Sequence, residues 1–229
     1  HEKHSILRCV INSIPRFRMC FSATASFAAS AVLGATGIAT LAKTKDRKML
    51  PLATIPLVFA IQQAIEGGLW LTIADGGSDA VLLSALFLFF ALFWWPTFVP
   101  FAVRSIEPFG WRRTVLTIAC LIGTALGMYL YVHFLMNPVS ASVVNQCIYY
   151  EYQAPYSMVA AVMYMFVTVG AGVLSSRYMV KVLFFIMAIS AFIASWLYYE
   201  NFTSVWCFFA AIVSVMIYMM VSEGKKRKT

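Results

Sequence analysis

The chain has 229 residues, 62% of them hydrophobic and 11% charged, with a formal net charge of +8. Soluble domains run at about 45–50% apolar and about 25% charged, so this composition excludes an ordinary water-soluble domain. The apolar residues fall in unbroken blocks of roughly 20, long enough to cross hydrocarbon as helices. Such blocks also exclude a transmembrane barrel, whose strands alternate in and out over about 10 residues.

In chain order, His1–Arg18 comes first, with Lys3, Arg8, Arg16 and Arg18. Seven apolar blocks follow: Phe21–Ala42, Leu50–Ile73, Ala80–Val103, Val115–Met136, Tyr156–Leu174, Val180–Tyr199 and Phe202–Val221. They predict an all-α integral membrane bundle of seven transmembrane helices as one domain over residues 19–222, ending in a basic tail over residues 223–229. Connections alternate in charge. Thirteen Lys and Arg lie in Lys43–Lys48, in the stretch from Arg104 to Arg113, around Arg177 and Lys181, and in the tail. The intervening connections, Ala74–Asp79, Asn137–Pro155 and Glu200–Asn201, hold none. Short basic loops stay in the cytoplasm, which predicts the N-terminus outside and the C-terminus inside. Residues 1–18 contradict that rule. Either they are a short tail outvoted by the other loops, or Met19 is the natural start and they are upstream reading frame or a disordered leader. A cleaved signal peptide fits less well, because the first apolar block is too long and lacks a small-residue cleavage site.

At the start of the first helix, Cys20 is followed by Ser22, Thr24 and Ser26. These hydroxyls either cap the free amides of the helix or line an outer pocket. The second block contains "FAIQQAIEGGLWL". Gln62, Gln63, Glu66 and Trp70 sit three or four residues apart, on one helical face. Glu66 is the only acidic residue inside a block. Facing lipid, that stripe would be costly, so it must face protein or water. An intramembrane ionisable residue is a functional-site hypothesis by default. The competing reading is interhelical glue. The third block ends in "LFWWPTFVPF", where Pro96 and Pro100 predict a bend or an early helix end with Trp94 and Trp95 as interfacial anchors. The next connection, "RSIEPFGWRR", suits anionic headgroups.

In the fourth block His133 is the only histidine. It falls in the outer layer at a depth similar to that of Glu66. It either pairs with Glu66, to bind a cation or relay a proton, or sits at the interface beside Tyr129 and Tyr131. The long connection Asn137–Pro155 holds Tyr149, Tyr150 and Tyr152. It forms a lid or interfacial segment over the outer face, or merely spans two helices. Cys20, Cys147 and Cys207 all fall at or near the outer side. They permit one disulfide plus one free thiol, and plain packing is the alternative for Cys207. No Cys-x-x-Cys is present. The last block has no lysine for a retinal linkage. One intramembrane histidine is too few for a zinc hydrolase, and no phosphate-binding glycine loop occurs. The juxtamembrane basic clusters point to anionic lipid, not to nucleic acid.

The stretches "MCFSATASFAASAVLGATG", "QQAIEGGLW", "WWPTFVP" and "SVWCFFAA" resemble an uncharacterised family of small prokaryotic multi-pass membrane proteins that open with Met-Cys-Phe-Ser. The resemblance covers Met19–Ser222. It implies a prokaryotic cytoplasmic membrane and a start at Met19, and it assigns no chemistry. The expected function is therefore a polar, outward-facing intramembrane pocket for a small ligand or cation. Gln62, Gln63, Glu66 and Trp70 would form it, with His133, Ser22 and Thr24 closing it. The alternatives are a membrane-embedded enzyme on a lipid or quinone-like substrate, and a structural or sensory partner. No residue is assigned a catalytic role, no metal site is expected, and the residues name no cofactor and no oligomeric state.

Overall fold

The computed structural model describes residues 22–73, 78–137, 141–144, 147–150, 156–197 and 202–226. Cys20 and residues 1–18 therefore lie outside the described residues. The protein is almost entirely helical: α1 Ala23–Lys43, α2 Arg47–Thr72, α3 Ser78–Ile106, α4 Trp111–Met136, α5 Met158–Leu174, α6 Tyr178–Leu197 and α7 Phe202–Ser222. All but α5 are long and apolar enough to cross a membrane. The block expected at Tyr156–Leu174 starts late because Tyr156 takes a left-handed backbone (φ 54°), and the helix begins only after it.

Local sequence explains how these helices begin. Ser22 caps α1, its hydroxyl accepting from Ala25 N–H at 3.2 Å. Asp46 accepts from Lys48 N–H at 2.9 Å and starts the tight turn that leads into α2. Pro51 and Pro56 stand in the first turns of helical stretches, where an amide hydrogen is not needed. Gly110 precedes α4 with φ 146°, a conformation that L side chains rarely adopt.

The helix does not end early at the Trp-Trp-Pro stretch: α3 runs on through Pro96 and Pro100 to Ile106, and its irregularity takes a specific form. Phe89–Trp94 is a π-helical turn immediately before Pro96. Proline has no N–H to return to the carbonyls of the preceding turn, and the Tyr164 hydroxyl donates to Ala91 O at 2.7 Å instead. A second π turn, Phe166–Gly170, interrupts α5 just after Tyr164.

Close packing relies on small residues. A Cβ added at Gly123 would stand 1.9 Å from Pro96 O, and one at Gly127 2.9 Å from Phe93 Cα. Gly123 and Gly127 thus bring α4 against the backbone of α3. Gly37 does the same for α1 against Leu57 of α2.

The surface is inverted relative to a soluble protein. Large apolar side chains such as Val32, Ile38, Leu71, Leu121, Val162 and Phe192 are exposed, while Gln62, Gln63, Glu66, Thr168, Ser204 and Ser214 are buried. With six long apolar helices, this is a multi-pass membrane protein.

The two ends of the bundle differ. At the basic end, Ser105 Oγ donates to Lys48 O at 2.8 Å, Arg104 Nε donates to Thr117 Oγ1 at 2.7 Å, and Lys43 Nζ donates to the Tyr218 hydroxyl. At the other end, β1 (Ala141–Val144) and β2 (Cys147–Tyr150) pair antiparallel, with Val144 opposite Cys147. This hairpin is neither a free loop nor a simple span. Cys147, Ile148 and Tyr150 are buried, and Tyr150 stacks on Phe87 at 5.2 Å. Ile148 and Tyr150 share a core with Leu69, Phe87, Phe134 and Cys207.

Candidate functional site

The stripe read from the sequence lies on the inward face of α2. Gln62 and Gln63 are fully buried and Glu66 is 2% exposed. Helical spacing stacks them on one side, so their polar atoms reach neighbouring helices instead of lipid. Gln62 uses both ends of its amide. Its Oε1 accepts from Trp95 Nε1 of α3 at 2.8 Å, and its Nε2 donates to Cys207 Sγ of α7 at 3.4 Å. Glu66 Oε1 accepts from Ser204 Oγ of α7 at 2.5 Å, and Oε2 accepts from Gln63 Nε2 at 3.1 Å. Both partners of the carboxyl are neutral.

Three further polar atoms around this centre are buried with no hydrogen-bond partner: Gln63 Oε1, the Tyr150 hydroxyl and Trp206 Nε1. Unsatisfied buried groups are uncommon in native proteins, and finding three in one region marks it out. The hairpin covers the region from above. Burial, followed by the charge of Glu66, pushes the Cys147 thiol up to about 11. Burial and the same charge, with Cys207 adding to them, hold the Tyr150 phenol well above its ordinary value.

The remaining sequence candidates are placed as follows. Trp70, one turn beyond Glu66, is half-buried and packs against both the hairpin core and the core containing Val205 and Trp206. Ser22 serves as the α1 cap, and Thr24 is exposed. His133 is half-buried with its ring 6.4 Å from that of Tyr129. The hydrogen bonds of the Glu66 carboxyl go to Ser204 and Gln63, not to His133. Among the described residues, neither Cys147 nor Cys207 is joined in a disulfide. Among the described residues no three His, Cys, Asp or Glu side chains gather as a metal site.

Two cavities border the centre, and Cys207 lines both. One is a void of about 30 Å³ between Phe59, Trp95, Phe184 and Ile217, with almost no polar surface. The other is a crevice of about 180 Å³ between α3, α4, α5 and α7. Glu66, 2% exposed, lines neither of these two.

Sequence reading missed the partners of the stripe. Ser204 and Cys207 lie in the quoted "SVWCFFAA", but nothing local ties them to residues some 140 positions earlier. A second buried carboxyl also escaped. Glu107, 2% exposed at the end of α3, accepts from Ser175 Oγ at 2.5 Å and from Ser176 N–H at 2.9 Å. The signal available was an acidic residue in an otherwise basic connection.

Residues 19–229 match the model of the Family of unknown function (DUF6629), and the chain belongs to that family. No curated protein and no solved structure matches the chain.

Proposed function

We propose that this member of the family of unknown function crosses the membrane seven times and binds a proton or small cation at Glu66, as a transporter or receptor does. Alternation of the basic connections supports placing the basic end, with the C-terminus, in the cytoplasm of a prokaryotic inner membrane. Exposed Phe109 and Trp111 beside Arg112 and Arg113 suit a surface of anionic headgroups. In that orientation α5 is the seventh crossing, and Glu66 lies in the outer half, roughly 10 Å below the boundary by helix rise.

The observation that carries this reading is a buried carboxyl whose hydrogen-bond partners are both neutral. Ionised, it would be an uncompensated buried charge, which is strongly unfavourable. A proton or a cation supplies the compensation, so gain or loss of that species is the event the site registers. Gln63 Oε1, buried without a donor, offers a further oxygen to such a ligand.

A structural role is the second reading. It is favoured by the way Gln62 and Glu66 tie α2 to α3 and α7. Glu66→Gln separates the two. The new amide can still accept from Ser204, and a rotated Gln63 amide can accept from its N–H, so the network survives and only the titratable group is lost. The test uses full-length protein in lipid nanodiscs. Thermal unfolding is followed from mildly acid to mildly alkaline pH and with added sodium, potassium or magnesium. The site reading expects a midpoint that moves with pH or with one cation in the wild type and stays flat in Glu66→Gln. Identical profiles for both proteins would leave the structural tie as the function of the stripe.

A further inference from the structure

The 180 Å³ crevice at the hairpin end has the makings of a second site, separate from the carboxyl of Glu66. Its walls come from four helices: Ala91 and Leu92 of α3, Leu130 of α4, Tyr164 of α5, and Thr203 and Trp206 of α7. Most of the lining is apolar, yet Trp206 is only 7% exposed and its indole N–H has no partner. A buried indole N–H ordinarily finds an acceptor. The rim includes Ala161, which is exposed on the outward side of α5 where large apolar side chains such as Met158 and Val162 also face out. The crevice therefore opens sideways, toward acyl chains. An apolar cavity of about 150 Å³ is enough to take up a benzene-sized ring. Its aromatic walls are already arranged for such a group: Tyr164 meets Trp206 edge-on at 6.0 Å, and Phe202 stacks on Trp206 at 5.5 Å.

We propose that this crevice binds a membrane-dissolved apolar molecule carrying an oxygen acceptor, which enters laterally between α4 and α5 and accepts a hydrogen bond from Trp206 Nε1. Two sources share that chemistry: an isoprenoid quinone, through its ring carbonyl, and a phospholipid, through its ester carbonyl. Occupancy also brings the ligand against Cys207, whose sulfur accepts from Gln62, so the site abuts the polar centre without depending on what Glu66 does.

Photo-crosslinking of full-length protein in nanodiscs tests this in two arms. One uses a diazirine-bearing isoprenoid benzoquinone, the other a phospholipid with a diazirine on its acyl chain. Label is mapped by peptide mass, and the exposed face of α1 around Val32 and Ile38 serves as the bulk-lipid reference. The expected result is labelling of the Leu130, Ala160 and Met165 region well above that reference in at least one arm, and that arm identifies the source. Trp206→Phe should weaken it about tenfold, the loss of one buried hydrogen bond. Ala161→Trp, at an exposed rim position that does not challenge the core, should block it while leaving the α1 label unchanged. Labelling no higher than at α1 in both arms overturns the proposal. So does crevice labelling that neither variant reduces.

Discussion

Glu66 and Glu107 form an instructive pair. Each is 2% exposed, and each accepts a serine hydroxyl at 2.5 Å. Each also leaves one acceptor nearby without a donor, Gln63 Oε1 in the first case and Glu107 Oε2 in the second. The difference lies in what else they hold. Glu107 takes the backbone N–H of Ser176, and Ser175 in turn accepts from Arg177 N–H at 3.2 Å. The carboxyl accepts one amide of the turn from α5 into α6 and holds the hydroxyl that accepts the next, so folding itself accounts for it. Every partner of Glu66 is a side chain. No backbone group needs this carboxyl, because α2 is already closed by its own ladder. A buried acid that folding does not require is the better candidate for function.

The contrast can be broken by mutation. Glu107→Ala leaves the buried Ser175 hydroxyl and the part-buried Ser176 amide without their acceptor, and we expect a loss of about 2–3 kcal/mol in unfolding free energy. Glu66→Ala leaves only the Ser204 hydroxyl and the Gln63 amide, both of which can rotate to new partners, and should cost less. Equal losses, read from denaturant unfolding in the same detergent, would erase the distinction. Gln62→Leu removes the acceptor of Trp95 and the donor to Cys207 together. It should cost about 1–2 kcal/mol and alter the tryptophan fluorescence on the side of Trp95.

Smaller effects sharpen the comparison. Ser204→Ala strips Glu66 Oε1 of its donor, whereas Ser175→Ala leaves Glu107 Oε1 with the Ser176 amide and the amide of exposed Arg177 to water. The first should therefore destabilise more than the second, by about 1 kcal/mol. The smallest expected change is in the reactivity of Cys147. Its thiol is pushed up to about 11 by burial and then by the charge of Glu66. Alkylation proceeds through the thiolate, so wild-type labelling should be slow at mildly alkaline pH and accelerate as pH rises toward that value. Glu66→Gln removes the second cause, enlarges the thiolate fraction at a given pH, and should speed labelling modestly. Unchanged kinetics would mean that the Glu66 carboxyl carries no charge felt at Cys147.

Much of this architecture was legible because hydrocarbon imposes simple rules. Apolar blocks became helices, the polar stripe at Gln62, Gln63 and Glu66 turned inward, and a π turn formed beside the Trp-Trp-Pro stretch. Other features left signals that were not used. "GTALG" at Gly123–Gly127 is a small-xxx-small pattern of the kind that brings helices together, and it meets the wall of α3. "ASVVNQCIYY" flanks Asn145 and Gln146 with β-branched and aromatic residues, a hairpin signature. The rest had no local trace. Ser204 meets Glu66, and Tyr164 meets Ala91, only once the bundle has closed. His133 shows the converse. Similar depth in two helices does not fix the azimuth, and its ring lies beside Tyr129.

The π turns in α3 and α5 are linked. Each inserts one surplus residue into its helix, and the hydroxyl of Tyr164, two residues before the second, donates to Ala91 O inside the first. Single π turns inside α-helices are frequent at functional sites. The two crevice walls that carry π turns are thus pinned to each other by a single phenol, and Tyr164→Phe would strip the Ala91 carbonyl of its donor in a turn where Pro96 has no N–H to offer.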